Sequence, residues 1–160
     1  MAKNIWLKLV MVGVMAVSVW IVFLIASKGA CACSPAANES AAVVSLRTLY
    51  SANIAYAKGH PKDGYPGKLR ELSSRSDESE QHNDAEWVVD PFIAGGVKSA
   101  YKFTYSPRSS MGDENFDTYE VRADPLEPGK SGKRHFFMNE TGVVRVSETG
   151  PANATDPALH

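Results

Sequence analysis

The sequence predicts an α+β protein with an N-terminal transmembrane helix, followed by an amphipathic helix packed on an antiparallel sheet of about four strands. Three observations predict this order. An uncharged apolar segment covers residues 9–26, a helical period of apolar residues runs through residues 38–58, and a strand-like alternation begins at residue 101. Because the helix stripe and one face of the sheet can bury each other, we expect a two-layer domain.

The apolar segment 9–26 has the length of a membrane-spanning helix. At 1.5 Å per residue it covers about 27 Å, close to the hydrocarbon thickness of a bilayer. Lys3 and Lys8 precede it and only Lys28 follows closely, which favours a cytoplasmic N-terminus. We therefore expect a cytoplasmic segment over residues 1–8, an anchor over 9–28 and a juxtamembrane linker over 29–37. A cleaved signal peptide and a lipoprotein signal are the alternatives.

The amphipathic helix over residues 38–58 begins after a cap at Ser34, with Pro35 at the first helical position, or after a later cap at Asn38. Gly59 suits its end, because glycine often terminates helices. Its predicted inward stripe is Ala42, Leu46, Leu49, Asn53 and Tyr56. Its predicted solvated residues are Glu39, Ser40, Arg47 and Ser51.

The rest of the domain, which we predict to span residues 38–147, contains short helices and strands. A helical turn is expected over residues 68–72, a mobile loop over 73–84, and a second short helix over 86–97 with Trp87, Val88, Phe92 and Ile93 facing inward. Alternating apolar residues predict strands over 101–105 and 118–123, and two further strands are expected over 135–138 and 143–146, separated by a hairpin-like connection over 139–142. Residues 148–160 are small and polar, which predicts a disordered tail.

Charge and motifs exclude several classes of function. The formal net charge is -1, so nothing indicates a nucleic-acid partner. The histidines stand at no motif spacing from a cysteine, serine or carboxylate, and the sequence has no Gly-rich phosphate loop. We therefore predict a protein that is not an enzyme. The histidines are His60, His82, His135 and His160.

Two groups of residues are candidates for chemistry. Cys31 and Cys33 follow the anchor, and they suit lipid attachment, an inter-chain disulfide or a thiolate metal site, or have no role. Asp113, Glu114 and Asp117 concentrate oxygen ligands between the first two strands, which suits calcium. An ordinary acidic turn is the alternative reading of these carboxylates, because their spacing does not match an EF-hand loop.

The soluble part resembles the type IV pilins and the pseudopilins of type II secretion. The resemblance covers residues 38–146. It lies in the segments 38–49, 64–66, 69–72, 98–105, 123–125, 134–137 and 141–145, in that order, with Tyr56 at the link after the helix. The short basic leader, the processing-site glycine and the Phe-Thr-Leu-Ile-Glu motif of pilins do not stand in residues 1–26.

The resemblance implies a non-enzymatic, membrane-anchored subunit or accessory of a bacterial pilus or type II secretion-type system. Its domain would lie in the periplasm or in a surface filament. Its partners would be the inner membrane, other pilin-like or secretion-system subunits, or further copies of itself, and calcium would be its one candidate cofactor. The missing pilin leader favours the alternative, a membrane-tethered periplasmic binding or sensing module that does not polymerise.

Overall fold

The structure, a computed structural model, describes residues 34–73, 89–110, 112 and 115–159. One long helix and two short helical segments precede an antiparallel sheet, so this part of the chain is α+β as predicted. The helices are α1 (Pro35–Gly59), the 3-10 helix Leu69–Leu72 and α2 (Pro91–Ala94), and the strands are β1 (Val97–Lys98), β2 (Tyr101–Arg108), β3 (Thr118–Pro125), β4 (His135–Asn139) and β5 (Arg145–Ser147).

The boundaries of α1 follow from its capping residues. The Ser34 hydroxyl accepts a hydrogen bond from the Ala37 N–H at 3.2 Å, and Pro35 occupies the first helical position. Of the two predicted caps the structure uses the earlier one, so residues 35–37 belong to the helix and not to the predicted linker. The helix ends at Gly59, as predicted, and the N–H of His60 donates to the Tyr56 carbonyl.

The sheet has five strands in sequence order, and each strand is antiparallel to the next. The strand that the sequence did not predict is β1. It exists because Ser99 and Ala100, both with positive φ, fold residues 97–98 back onto β2. The predicted turn over residues 139–142 does join β4 to β5, and Gly142 has the positive φ that such a turn requires.

The core lies between α1 and one face of the sheet. The predicted stripe is confirmed for Ala42, Leu46, Leu49 and Asn53, which are all buried, whereas Tyr56 is half-buried. The sheet contributes alternate residues of its three central strands to the same cluster. These are Tyr101, Phe103, Tyr119, Val121, Ala123, Phe136 and Met138.

Two predicted side-chain positions are wrong. Glu39 was expected in solvent, yet it is only 7% exposed, because its carboxylate has partners on a distant loop. Phe92 was expected to face inward and is 72% exposed, whereas Ile93 is buried as predicted. Neighbouring residues of a helix point about 100° apart, so in the single turn of α2 only one of this pair can face the core.

The tail predicted to be disordered pairs with β5. Val146 N–H donates to the Pro157 carbonyl at 3.0 Å, and Leu159 N–H donates to the Val144 carbonyl at 2.8 Å. Ala152 is 1% exposed. The sequence pattern missed this segment because backbone hydrogen bonds, and not an apolar alternation, hold it against the sheet edge.

In the described part of the chain, no helix is long and apolar enough to cross a membrane. The predicted anchor and most of the predicted linker lie outside the described residues. So do residues 74–84 of the predicted mobile loop, together with Trp87 and Val88 of the predicted second helix.

Candidate functional site

Most of the predicted ligand residues lie outside the described part of the chain, namely Cys31, Cys33, Asp113 and Glu114. Asp117 is described, and its carboxylate accepts hydrogen bonds from the backbone N–H of Ser110, at 3.2 and 3.3 Å, and from the Ser110 hydroxyl. It thereby closes the loop between β2 and β3. Among the residues that the structure describes, no three His, Cys, Asp or Glu side chains are grouped to hold a metal ion.

The outer face of α1 points away from the sheet. Along it, residues recur in alternating steps of four and three, the spacing at which one helix seam meets another helix. Val44 at its centre is 61% exposed, although it is apolar. We call the set the outer face of α1, and its members are Ala37, Ala41, Val44, Thr48, Ser51 and Ala55.

Hydroxyl groups on the outer face of α1 are satisfied within the helix. Thr48 Oγ1 donates to the Val44 carbonyl at 3.1 Å, and Ser51 Oγ donates to the Arg47 carbonyl at 3.3 Å. Because these donors already have an acceptor, burying them against another surface leaves no unpaired donor. Small side chains also let a second backbone approach closely. The outer face of α1 therefore suits contact with another helix.

The start of α1 is bound to the loop between β3 and β4. Glu39 accepts hydrogen bonds from the Lys133 N–H at 2.8 Å, from the Arg134 N–H at 3.3 Å and from Arg134 Nε at 2.7 Å. Asn38 Nδ2 donates to the Ser131 carbonyl at 2.9 Å. Tyr101 on β2 supports the same loop, since its hydroxyl donates to the Arg134 carbonyl at 2.8 Å.

Opposing effects act on the Glu39 carboxyl. Burial disfavours its charged form, while the hydrogen bonds from the backbone of Lys133 and from Arg134 favour it, and the Arg134 charge adds to them. The hydrogen bonds and the charge together outweigh burial, so the pKa of Glu39 lies below its ordinary value. The link between helix and loop is therefore ionic at neutral pH.

A polar row crosses the sheet on the face opposite α1. His135 Nδ1 lies 2.6 Å from Asp124 Oδ1, Ser147 is the cross-strand partner of His135, and Lys102 is the partner of Asp124. Aspartate, histidine and serine also form the triads of hydrolases. Those triads need backbone N–H groups aimed at the reacting oxygen, whereas strand N–H groups lie within the plane of a sheet. The strand backbone of this row therefore aims no N–H group out of the sheet toward Ser147.

Tyrosines fill the interior near the end of α1. The rings of Tyr65 and Tyr119 meet edge to face at 4.7 Å between centroids, and those of Tyr105 and Tyr119 stack at 5.7 Å. Burial raises the pKa of both Tyr105 and Tyr119, with the neighbouring tyrosines adding to the shift. Both phenols are therefore neutral at neutral pH, and their rings pack against each other in the interior.

Sequence reasoning missed the Glu39 contact and the row through His135, since each joins residues from separate elements. Glu39 and Arg134 are 95 positions apart. The sequence offered little signal for the row, because β4 has no clean alternation and Asp124 follows the predicted end of its strand. Only the register between the strands places His135 and Asp124 opposite each other.

No protein family, no curated protein and no solved structure matches this chain.

Proposed function

We propose that this chain is a non-enzymatic, membrane-anchored, pilin-like subunit or accessory of a bacterial pilus or type II secretion-type assembly. The observation that carries the proposal is the two-sided character of α1. One side of this helix packs on an antiparallel sheet, and on the opposite side the outer face of α1 is exposed or half-buried and spaced for helix contact, with the exposed Arg47 beside it. The element order of the described part, one long helix before an antiparallel sheet, is also what the resemblance implies.

The predicted anchor supports the same function. It places an apolar segment shortly before α1, and copies held in one bilayer meet at a high effective concentration. The periplasmic location, the inner-membrane attachment and the filament role are parts of this proposal.

Site-specific photo-cross-linking in cells tests the assembly function. A photoreactive amino acid replaces Val44 on the outer face of α1, and a matched control carries it at Thr104, which is exposed on the opposite face of the sheet. We expect covalent dimers or larger species from the Val44 position and few from the Thr104 position. We also expect the chain in sheared surface material or cross-linked to secretion-system membrane proteins.

The alternative is a membrane-tethered binding or sensing module in the periplasm that does not polymerise. It predicts the monomer alone from both probe positions and no chain in sheared material. That combination of results would contradict the assembly function and support the tethered module.

A further inference from the structure

We propose that the loop over residues 126–133, called here the β3–β4 loop, binds the anionic phospholipid headgroups of the bilayer that holds the anchor. The inference rests on the anchor of the proposed function and goes beyond it, because it gives the folded domain a lipid-binding surface of its own. Three features of the loop carry it: its position, its side chains and its rigidity.

The position of the loop follows from its bonds to the start of α1. Asn38 holds the Ser131 carbonyl, and Glu39 holds the backbone of Lys133. Residues 29–34 separate the predicted anchor from α1, and a fully extended chain of that length reaches about 20 Å at most. With 25 residues, α1 extends about 37 Å beyond its start. The loop at the start of α1 is therefore within reach of the bilayer, and the far end of α1 is a distant site for comparison.

Side chains of the loop match a headgroup surface. Leu126 is apolar and 50% exposed. The Lys130 side chain is 83% exposed, and its ion pair with Glu127 lies in solvent, where such pairs are weak and easily exchanged. Lys133 is exposed too, and Glu39 binds its backbone rather than its ammonium group. An apolar residue beside two lysines can enter the interface while the lysines reach phosphates.

The loop is held in shape before it meets any partner. The Glu127 carbonyl accepts from the N–H groups of Lys130 and Ser131 at 3.0 and 2.9 Å, and the Gly129 N–H donates to the Gly132 carbonyl at 2.7 Å. Gly132 packs on Tyr101, whose Cζ would lie 2.8 Å from an added Cβ. A preformed loop loses little conformational entropy on binding, so both lysines can act together.

Lipid photo-cross-linking with the full-length chain tests the inference. A photoreactive amino acid replaces Leu126, and the matched control carries it at Lys62, which is exposed just beyond the end of α1. Each protein is reconstituted in vesicles of phosphatidylcholine that contain roughly 30% phosphatidylglycerol, because an anionic surface attracts nearby lysines. Flotation establishes that the chain is in the bilayer, and mass spectrometry measures the lipid adducts.

We expect adducts at position 126 in clear excess over position 62. Replacing Lys130 and Lys133 by Gln should lower the yield at position 126 by about fivefold for each lysine, and vesicles of pure phosphatidylcholine should lower it similarly. If the chain floats with the vesicles, equal adduct yields at positions 126 and 62 would overturn the inference. An adduct yield at position 126 that changes neither with the lysine substitutions nor with the lipid composition would overturn it too. If the chain does not float, it has no membrane anchor, and this result would overturn both this inference and the proposed function.

Discussion

Tyr105 on β2 donates a hydrogen bond from its hydroxyl to Asn53 Oδ1 on the buried face of α1, over 2.9 Å. Asn53 is fully buried, and its Nδ2 donates in turn to the Leu49 carbonyl at 2.7 Å. The helix and the sheet are therefore joined by a polar contact inside an otherwise apolar layer. Tyr119 beside it differs, because its buried hydroxyl has no hydrogen-bond partner among the residues that the structure describes.

Removing these two hydroxyl groups should have opposite consequences. Tyr105→Phe leaves the Asn53 acceptor buried and unsatisfied, so we expect the free energy of unfolding to fall by about 1–3 kcal/mol. Tyr119→Phe removes an unpaired polar atom and should be neutral or stabilising. Urea denaturation of both variants checks this, and a larger loss for Tyr119→Phe would contradict the hydrogen-bond pattern described here.

The ionic link between Glu39 and Arg134 predicts a pH dependence. Because the pKa of Glu39 is lower in the folded chain than its ordinary value of 4.5, its contribution to stability is present above that value. The contribution is lost as the pH falls through the lower, folded-state pKa. We expect Glu39→Gln to cost about 1–3 kcal/mol at neutral pH. The difference from the parent chain should shrink on acidification.

The measurement is the free energy of unfolding of both chains between neutral and acidic pH. Ser40→Ala, a change at the exposed neighbour of Glu39, is the control and should track the parent chain at every pH. A Glu39→Gln effect that stays constant across the range would show that the carboxylate charge is not what holds the loop.

The turn between β1 and β2 stores backbone strain. Ala100 has φ of 58°, a left-handed conformation that costs a residue with a Cβ about 1 kcal/mol or more. We expect Ala100→Gly to raise the free energy of unfolding by about 1 kcal/mol, the reverse of the usual effect of glycine. Ala41→Gly, within α1, should lower it by a similar amount. Thermal unfolding of the two variants provides the comparison, and a loss at both positions would contradict the turn geometry.

The pairing of the tail with β5 predicts sensitivity at Ala152. Its side chain is 1% exposed, so Ala152→Asp buries a carboxylate or displaces the tail, and we expect a loss of about 2 kcal/mol or more. Ala154 is exposed, and Ala154→Asp should have almost no effect. Chemical denaturation with limited proteolysis after residue 148 measures both. Equal tolerance at the two positions would mean that the tail does not pack as described.

The polar row through His135 predicts that Ser147 does not act as a nucleophile. Because strand N–H groups do not face the sheet surface, we expect a fluorophosphonate probe to leave Ser147 unlabelled while it labels a control serine hydrolase. Mass spectrometry of the probe-treated chain gives the result. Labelling at Ser147 that disappears in His135→Ala would contradict the proposal that the protein is not an enzyme.

Local sequence patterns were sufficient to predict α1 and most strands of the sheet. The helical period located the buried stripe from Ala42 to Asn53, and Pro35 with Ser34 supplied a cap that the structure uses. Alternation of apolar residues located β2 and β3. In each case the information lies within a few neighbouring residues, which is the range that propensity and periodicity cover.

Long-range contacts were beyond such patterns. Glu39 was assigned to solvent by its residue type, because its partners stand on a loop that no periodicity connects to α1. The tail was assigned to disorder by its composition, although backbone bonds to Val144 and Val146 order it. The outer face of α1 was visible in the sequence only as small residues, and burial of the opposite side was needed to recognise it as a surface.

The sheet is a simple meander, yet the helix that completes its core comes first in the chain. During synthesis α1 is made well before the sheet, and its buried side is fully covered only when Phe136 and Met138 of β4 have emerged after β2 and β3. Distant contacts of this kind slow folding and lengthen the time for which apolar surface is exposed. A nascent chain stopped before Arg134 would thus lack the ion pair with Glu39 and the contacts of Phe136 and Met138, so part of the apolar side of α1 would stay exposed to proteases and chaperones.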